Sequence, residues 1–143
     1  MTRFDPLTPA HAELIAGMHH VCFAEPWDAP AMTSLLAMPG AFGWLAADET
    51  PQGFVLARVA ADEAEILTLV VLPPYRCTGL GTRLMREAAA EAKRLGAVKI
   101  FLEVAANNVA GRALYTTCGF LQTGTRPCYY RDSIEALLMA RDL

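Results

Sequence analysis

Apolar positions change period along the chain, and each change marks a new element. Thr8-Pro9 offers a hydroxyl N-cap and then Pro at the first helical position, and Leu14, Ile15, Met18 and Cys22 follow at helical spacing. The run Glu25-Pro26-Trp27-Asp28-Ala29-Pro30 interrupts that pattern. A second short helix is predicted from Pro30 to Met38, stopped by Pro39-Gly40. Ala41–Ala47 and Gln52–Val59 are two predicted strands joined by Asp48-Glu49-Thr50-Pro51, and Ala64–Leu72 is a third, ended by Pro73-Pro74. Leu80, Leu84, Ala88, Ala92 and Leu95 then recur at helical spacing up to Gly96, a natural C-terminal stop. Val98–Val104 follows as a strand, Asn107–Cys118 as a helix ending at Gly119, and Phe120–Thr125 and Ile134–Arg141 as closing strands. This order predicts an α/β (α+β) domain with a mixed sheet. No linker or internal repeat divides the 143 residues, so one domain over 1–143 is expected.

Composition narrows the class. Apolar residues make up 54% and charged residues 19%, which excludes a disordered chain. No apolar stretch reaches the roughly 18 residues of a membrane span, and the first residues lack the basic-then-apolar order of a signal peptide. Cys22, Cys77, Cys118 and Cys128 share no metal-ligand spacing and are expected as reduced thiols, mostly in the core, of a cytoplasmic protein. His19 and His20 are neighbours and diverge on a helix, so no metal site is expected. The net charge of −3 hides a division: residues 1–72 sum to −7 and residues 73–143 to +4. Such a division suits two partners of opposite sign, and the acidic total argues against nucleic acid.

The richest chemistry lies where the third strand meets the long helix. Arg76-Cys77-Thr78-Gly79-Leu80-Gly81-Thr82 joins them through a turn with two glycines. N–H groups at a helix start lack partners and, with the helix dipole, make an anion site. Glycine admits close backbone approach, and Arg76 adds a charge that can bond phosphate. A dinucleotide fingerprint needs a third glycine, which is absent; a P-loop needs Gly-Lys-Ser/Thr, where this chain has Gly81-Thr82-Arg83. What remains, Arg-x-x-Gly-x-Gly between a strand and an amphipathic helix, resembles the pyrophosphate loop of the GCN5-related N-acetyltransferase (GNAT) family. A second segment agrees: Asn108, Leu114, Tyr115, Gly119 and Phe120 stand in a pattern similar to that family's second cofactor segment, with Ala110 one place early and Gly111 where a small residue is usual. Glu25-Pro26-Trp27, Leu102-Glu103-Val104 and Tyr129-Tyr130 resemble the ribosomal-protein-alanine N-acetyltransferase branch. Cys77-Thr78 departs from the basic and small residues usual in the loop, and no Pro follows the tyrosine pair.

The resemblance implies a single GNAT domain: a mixed, mostly antiparallel sheet of six to seven strands flanked by about four helices. It implies acetyl-CoA as acyl donor, bound by the backbone of Leu69, Val70 and Val71, by the loop from Arg76 through Cys77, Thr78, Gly79, Leu80 and Gly81 to Thr82, and by Asn108 and Tyr115. It implies Glu103 as general base, directly or through water, and Tyr115 as general acid for the leaving thiolate. The expected acceptor is a protein N-terminal α-amine, such as that of a ribosomal protein, because an α-amine loses its proton near pH 7.7–8.0 and Lys only near about 10.4. A small-molecule amine, a lysine side chain, or CoA binding without catalysis are the alternatives.

Overall fold

A computed structural model describes residues 1–127 and 134–143. Cys128, Tyr129 and Tyr130 lie outside the described residues. Seven strands form one sheet: β1 (Arg3–Pro6), β2 (Ala41–Ala47), β3 (Pro51–Ala60), β4 (Glu63–Val71), β5 (Lys99–Ala105), β6 (Leu121–Arg126) and β7 (Ala136–Asp142). Their spatial order is β1-β2-β3-β4-β5-β7-β6. Only β4 and β5 run parallel; every other neighbouring pair is antiparallel. The helices are α1 (Ala12–Cys22), α2 (Ala29–Leu36), α3 (Leu80–Arg94) and α4 (Val109–Thr117). This is the expected mixed sheet with four helices, and its strand bounds fall within two residues of the predicted ones.

Two differences from expectation have local causes. β1 was not predicted, because four residues ending in Pro show no usable alternation; it pairs on the edge of β2, where a Pro is tolerated. The first helix starts as a 3₁₀ turn over Pro9–His11 and becomes α-helical only at Ala12. There the His11 ring Nδ1 accepts the Thr8 N–H at 3.0 Å.

The sheet is covered on both faces. α3 lies over Ala46, Val55, Ala57, Ala64, Ile66, Ile100, Leu102 and Val104, and Leu84, Met85, Ala88 and Ala92 fill the space between. α1 and α2 cover Leu45, Phe54, Leu56 and Val70 on the opposite face through Ile15, Met18 and Met32. Burying these side chains contributes on the order of 1.5–3 kcal/mol for each large one.

Two irregularities in β4 shape the centre. Leu56 of β3 stands opposite Thr68 and Ala57 opposite Ile66, so Leu67 is an extra, bulged residue. The bulge changes which residues face α3, from Ala64 and Ile66 before it to Leu69 and Val71 after it. The β4–β5 ladder is also short. It pairs Glu63 with Lys99, Ala64 with Ile100 and Glu65 with Phe101, and then stops. Beyond that rung β4 continues to Val71 and β5 to Ala105 with no pairing between them. A wedge-shaped opening therefore lies at the middle of the sheet.

Candidate active site

The opening is lined by backbone. Leu72 N–H bonds Gln52 O across to β3 at 2.9 Å, and backbone groups alternate sides along an antiparallel ladder. The N–H and C=O of Val71 and Leu69 accordingly face the opening, and those of Val70 face β3. The Val70 carbonyl indeed points at Gly53, 2.5 Å from where a Cβ there would stand. Of the three residues expected to bind cofactor, Leu69 and Val71 present hydrogen-bonding groups to the opening. Val70 presents its side chain to the core under α1 and α2. Beside the bulge, Thr68 Oγ1 is buried with no hydrogen-bond partner among the described residues.

The loop above the opening is held in shape from below. Pro73–Tyr75 form a 3₁₀ turn, and Thr78 Oγ1 donates to Tyr75 O at 2.5 Å. Cys77 and Gly79 both take positive φ, 62° and 83°. Gly79 is the N-cap of α3, and having no side chain it gives no cap bond. The first-turn N–H groups of Leu80, Gly81 and Thr82 are thus left for an anion, with the helix dipole behind them. The two glycines have different reasons. Gly79 supplies the left-handed backbone. Gly81 is buried, and a Cβ there would stand 3.0 Å from Leu114 Cδ2, so it sets the distance between α3 and α4. Arg76 is turned back onto β4. Its Nε donates to Val71 O at 3.0 Å and its Nη2 reaches Cys22 Sγ at 3.5 Å. Backbone N–H groups are the loop's main anion donors, and Arg76 braces the strand end. Cys77 is exposed, against the expectation of a core thiol, whereas burial raises the Cys118 thiol above its usual range.

α4 carries the second set. Asn108 is its N-cap, and Oδ1 accepts the Gly111 N–H at 3.0 Å. Gly111 has a reason of its own: a Cβ there would lie 2.6 Å from Asn108 Nδ2. Tyr115 is half-buried against the core on the α3 side, edge-on to Phe120 with ring centroids 6.2 Å apart.

Glu103 lies on the other face. Ile100, Leu102 and Val104 point toward α3, so Phe101, Glu103 and Ala105 point away from it. β5 has a neighbouring strand on each side, so Glu103 does not lie on an edge of the sheet. Its Oε1 accepts a bond from Arg126 Nη2 at 3.0 Å, diagonally across β7. Glu65, opposite Phe101, and Arg58, opposite Glu65, share this face. The Glu65 carboxyl is held above the usual carboxylate range, first by desolvation and then by the charge of Glu103, while Arg58 and Arg126 pull it down. At the end of α1, the His19 ring is stacked between Phe23 and Trp27, at 4.1 and 4.9 Å, and its Nδ1 accepts the Trp27 N–H at 3.1 Å. That fixes the connection between α1 and α2. Sequence reasoning missed Arg126, Glu65 and His19. Only Glu65 left a signal, since it lies on the polar face of an alternating strand start, Glu63-Ala64-Glu65-Ile66.

A sheet parted at its one parallel junction, with an anion-ready helix start above the gap, defines a class of protein that lays an extended phosphorylated ligand into its own sheet. Residues 12–120 match the model of the Acetyltransferase (GNAT) family, and the chain belongs to that family. It is an acetyl-CoA-dependent N-acetyltransferase. It is 35% identical over 144 residues to N-alpha-acetyltransferase RimI of Mycobacterium tuberculosis, covering 95% of this chain and 89% of that one. It is 34% identical over 99 residues to the [ribosomal protein bS18]-alanine N-acetyltransferase of Salmonella typhimurium, covering 67% of each. The crystal structure of the ribosomal-protein-S18-alanine N-acetyltransferase from Escherichia coli superposes with a TM-score of 0.91 at 26% identity, over 99% of this chain and 94% of that one. The fold recurs in Arabidopsis thaliana NAA60 in complex with acetyl-CoA, at TM-score 0.88 and 20% identity over 100% and 99% of the chains.

Proposed function

We propose that the protein is one N-acetyltransferase domain over residues 1–143 and that it acetylates the N-terminal α-amine of a protein, a ribosomal protein being the leading case. The observation that carries this reading is Glu103, fixed by Arg126 beside the parted strands on the face away from α3. We place the reaction in the cytoplasm, where the thiols of Cys22, Cys77 and Cys118 stay reduced.

The residues fit acetyl-CoA. The N–H and C=O of Leu69 and the N–H of Val71 offer strand-like partners to an extended arm, as a missing β5 neighbour would, while the Val71 carbonyl is held by Arg76 Nε. The uncapped start of α3 offers N–H groups to a pyrophosphate. Asn108 Nδ2 remains available beside the capping oxygen. When bound, acetyl-CoA supplies an electrophilic thioester carbonyl. The chain's task is to bring up a neutral amine and to protonate a thiolate. Glu103 receives the ammonium on one face of the sheet and draws off its proton, directly or through a water. Tyr115 stands on the opposite face as proton donor to the thiolate. A thiol with a pKa near 8.5 needs little help, so Tyr115 contributes less than Glu103. A backbone N–H of Leu69 or Val71 serves the developing oxyanion. The acceptor is an α-amine rather than lysine because its proton is about two to three pKa units easier to remove.

A competition decides the acceptor. An alanine-initiated peptide, its N-blocked lysine-containing analogue and spermidine are mixed at equal concentration with acetyl-CoA, and the product is located by mass spectrometry. The label is expected on the α-amine. Label mainly on lysine or spermidine overturns the N-terminal reading, and CoA binding without transfer to any amine overturns the catalytic one.

A further inference from the structure

One polar side chain of β4 is buried where the sheet parts and has nothing to bond. Thr68 is 7% exposed, and its Oγ1 has no hydrogen-bond partner among the described residues. Its direction follows from the bulge. Ala64 and Ile66 face α3, and plain alternation would carry Thr68 to that same face. The extra residue at Leu67 turns it instead. Thr68 stands opposite Leu56, whose side chain lies in the core under α1 and α2, and directly opposed residues share a face. The last rung between β4 and β5 sets Glu65 against Phe101. Counting on from that rung past the extra residue brings Thr68 level with Glu103 across the opening. Glu103 also points away from α3, so a hydroxyl and a carboxylate flank the opening on one face, one from each strand. One Glu103 oxygen is held by Arg126. A buried hydroxyl left unbonded costs free energy that a Val of the same shape would not, so its presence among Leu56, Leu67 and Val70 calls for a ligand.

We propose that the Thr68 hydroxyl is a hydrogen-bond partner of the acceptor nitrogen: Oγ1 accepts an N–H of the amine across from Glu103 and so aims the nitrogen lone pair at the thioester carbonyl. The inference rests on the acetyltransferase reading above and adds a neutral contact to its charged one. Thr68 gives and takes no proton. From the neutral amine, the lone pair forms the C–N bond and the C–S bond breaks with its electron pair on sulfur. The nitrogen gives up one proton by way of Glu103, and the sulfur takes one from Tyr115. The charges decide where the contact counts. The nitrogen is neutral before attack and turns positive as the C–N bond forms. Its N–H becomes a stronger donor, so the bond to Oγ1 tightens on the way to the transition state. A hydroxyl suits this place because it holds the neutral amine without favouring the ammonium, which cannot attack; a carboxylate there would favour it. One partner leaves the nitrogen free to turn about a single bond, whereas two partners on opposite strands fix the direction of its lone pair.

Transfer to the alanine-initiated peptide is followed from pH 6 to 9 for wild type, Thr68→Val and Thr68→Ser, with acetyl-CoA affinity from calorimetry and stability from urea melts. Thr68→Val keeps the shape and removes the hydroxyl. It is expected to lower kcat about 10- to 100-fold, as for loss of one hydrogen bond to a group that gains charge, with a smaller change in KM. The loss should be the same at every pH, because a hydroxyl does not titrate in this range, whereas the loss of a base is felt less as the amine deprotonates unaided. Acetyl-CoA affinity should hold, and stability should equal or exceed that of wild type, since the variant buries no unbonded hydroxyl. Thr68→Ser should recover most of the rate. An unchanged kcat in Thr68→Val overturns the proposal. So does a rate lost in step with stability or cofactor affinity, and so does a loss that fades toward pH 9, which would make the hydroxyl a support of Glu103 instead. A wild-type protein that moves acetyl to no amine overturns the functional reading and takes this one with it.

Discussion

At Asn108 one side chain shapes α4 and is also the one proposed to meet the cofactor. Its oxygen caps the helix on Gly111 N–H, which leaves the amide nitrogen for a ligand. Gly111 is the residue that lets this happen, because any Cβ there meets the Asn108 amide at 2.6–3.0 Å. In the sequence Gly111 is a mild departure from a pattern; in the structure it is the space into which the cap folds. Gly111→Val should displace that amide and cost about 0.5–2 kcal/mol, the worth of an N-cap. Urea melts should show the loss, and calorimetry a weaker acetyl-CoA affinity. Unchanged values for both would mean that the cap is not shared. Arg76 teaches the opposite lesson. Its place in the motif was legible, but its side chain braces Val71 O, which depends on a strand end that no linear spacing shows.

Among the elements, those with strong periodicity were legible and their relations were not. The order of helices and strands, the loop before α3 and the cap of α4 could be read because each signal is local. The bulge at Leu67 could not, since Ile66 to Val71 is apolar on both faces apart from Thr68 and reveals no change of side. The Glu103–Arg126 pair was hidden for a topological reason. β6 follows α4 in the chain, yet β7 inserts between β5 and β6, so the two partners meet only diagonally across a later strand. The connection from α1 to α2 depends on the His19 ring, whose partners Phe23 and Trp27 are near in sequence but stand past the end of α1, in no helix or strand. Burial holds His19 down at about 4, against 6.5 for a free histidine. Unfolded chains therefore take up a proton below about pH 6.5 that the fold refuses until about pH 4, so stability falls as pH drops through that window. The sign gives a cost of about 2 kcal/mol by pH 5. His19→Gln should lose that dependence between pH 7 and 5. Equal slopes for variant and wild type in denaturant titrations would show that the ring is not held neutral.

For the molecule as a whole, the acidic and basic halves of the sequence do not become two charged faces. Asp48 pairs with the N-terminal amine, Asp5 with Arg3, and Asp28 caps α2. Arg83 lies over the Phe4 ring and Arg112 bonds Ala106 O. Glu63 and Glu65 bring acidity of the first half to the face of β4 turned away from α3, where Arg58 and Arg126 lower the Glu65 pKa against its other neighbours. The larger consequence comes from the three-rung ladder between β4 and β5. Continuous hydrogen bonding runs from β1 to β4 and again from β5 through β7 to β6, and the two blocks are joined by that short seam, the Val98 N–H to Asp62 O bond beside it and the shared core under α3. The short seam predicts two cooperative units with a weak line between them, bridged by a ligand that fills the gap as a strand would. Binding only the closed arrangement, it stabilises by mass action, about 2.7 kcal/mol at a hundred times Kd. Hydrogen exchange should show the Leu102–Ala105 and Leu69–Val71 amides opening below the global unfolding energy, and CoA slowing them most. Uniform protection throughout the sheet, unaltered by CoA, would mean that the seam is no hinge.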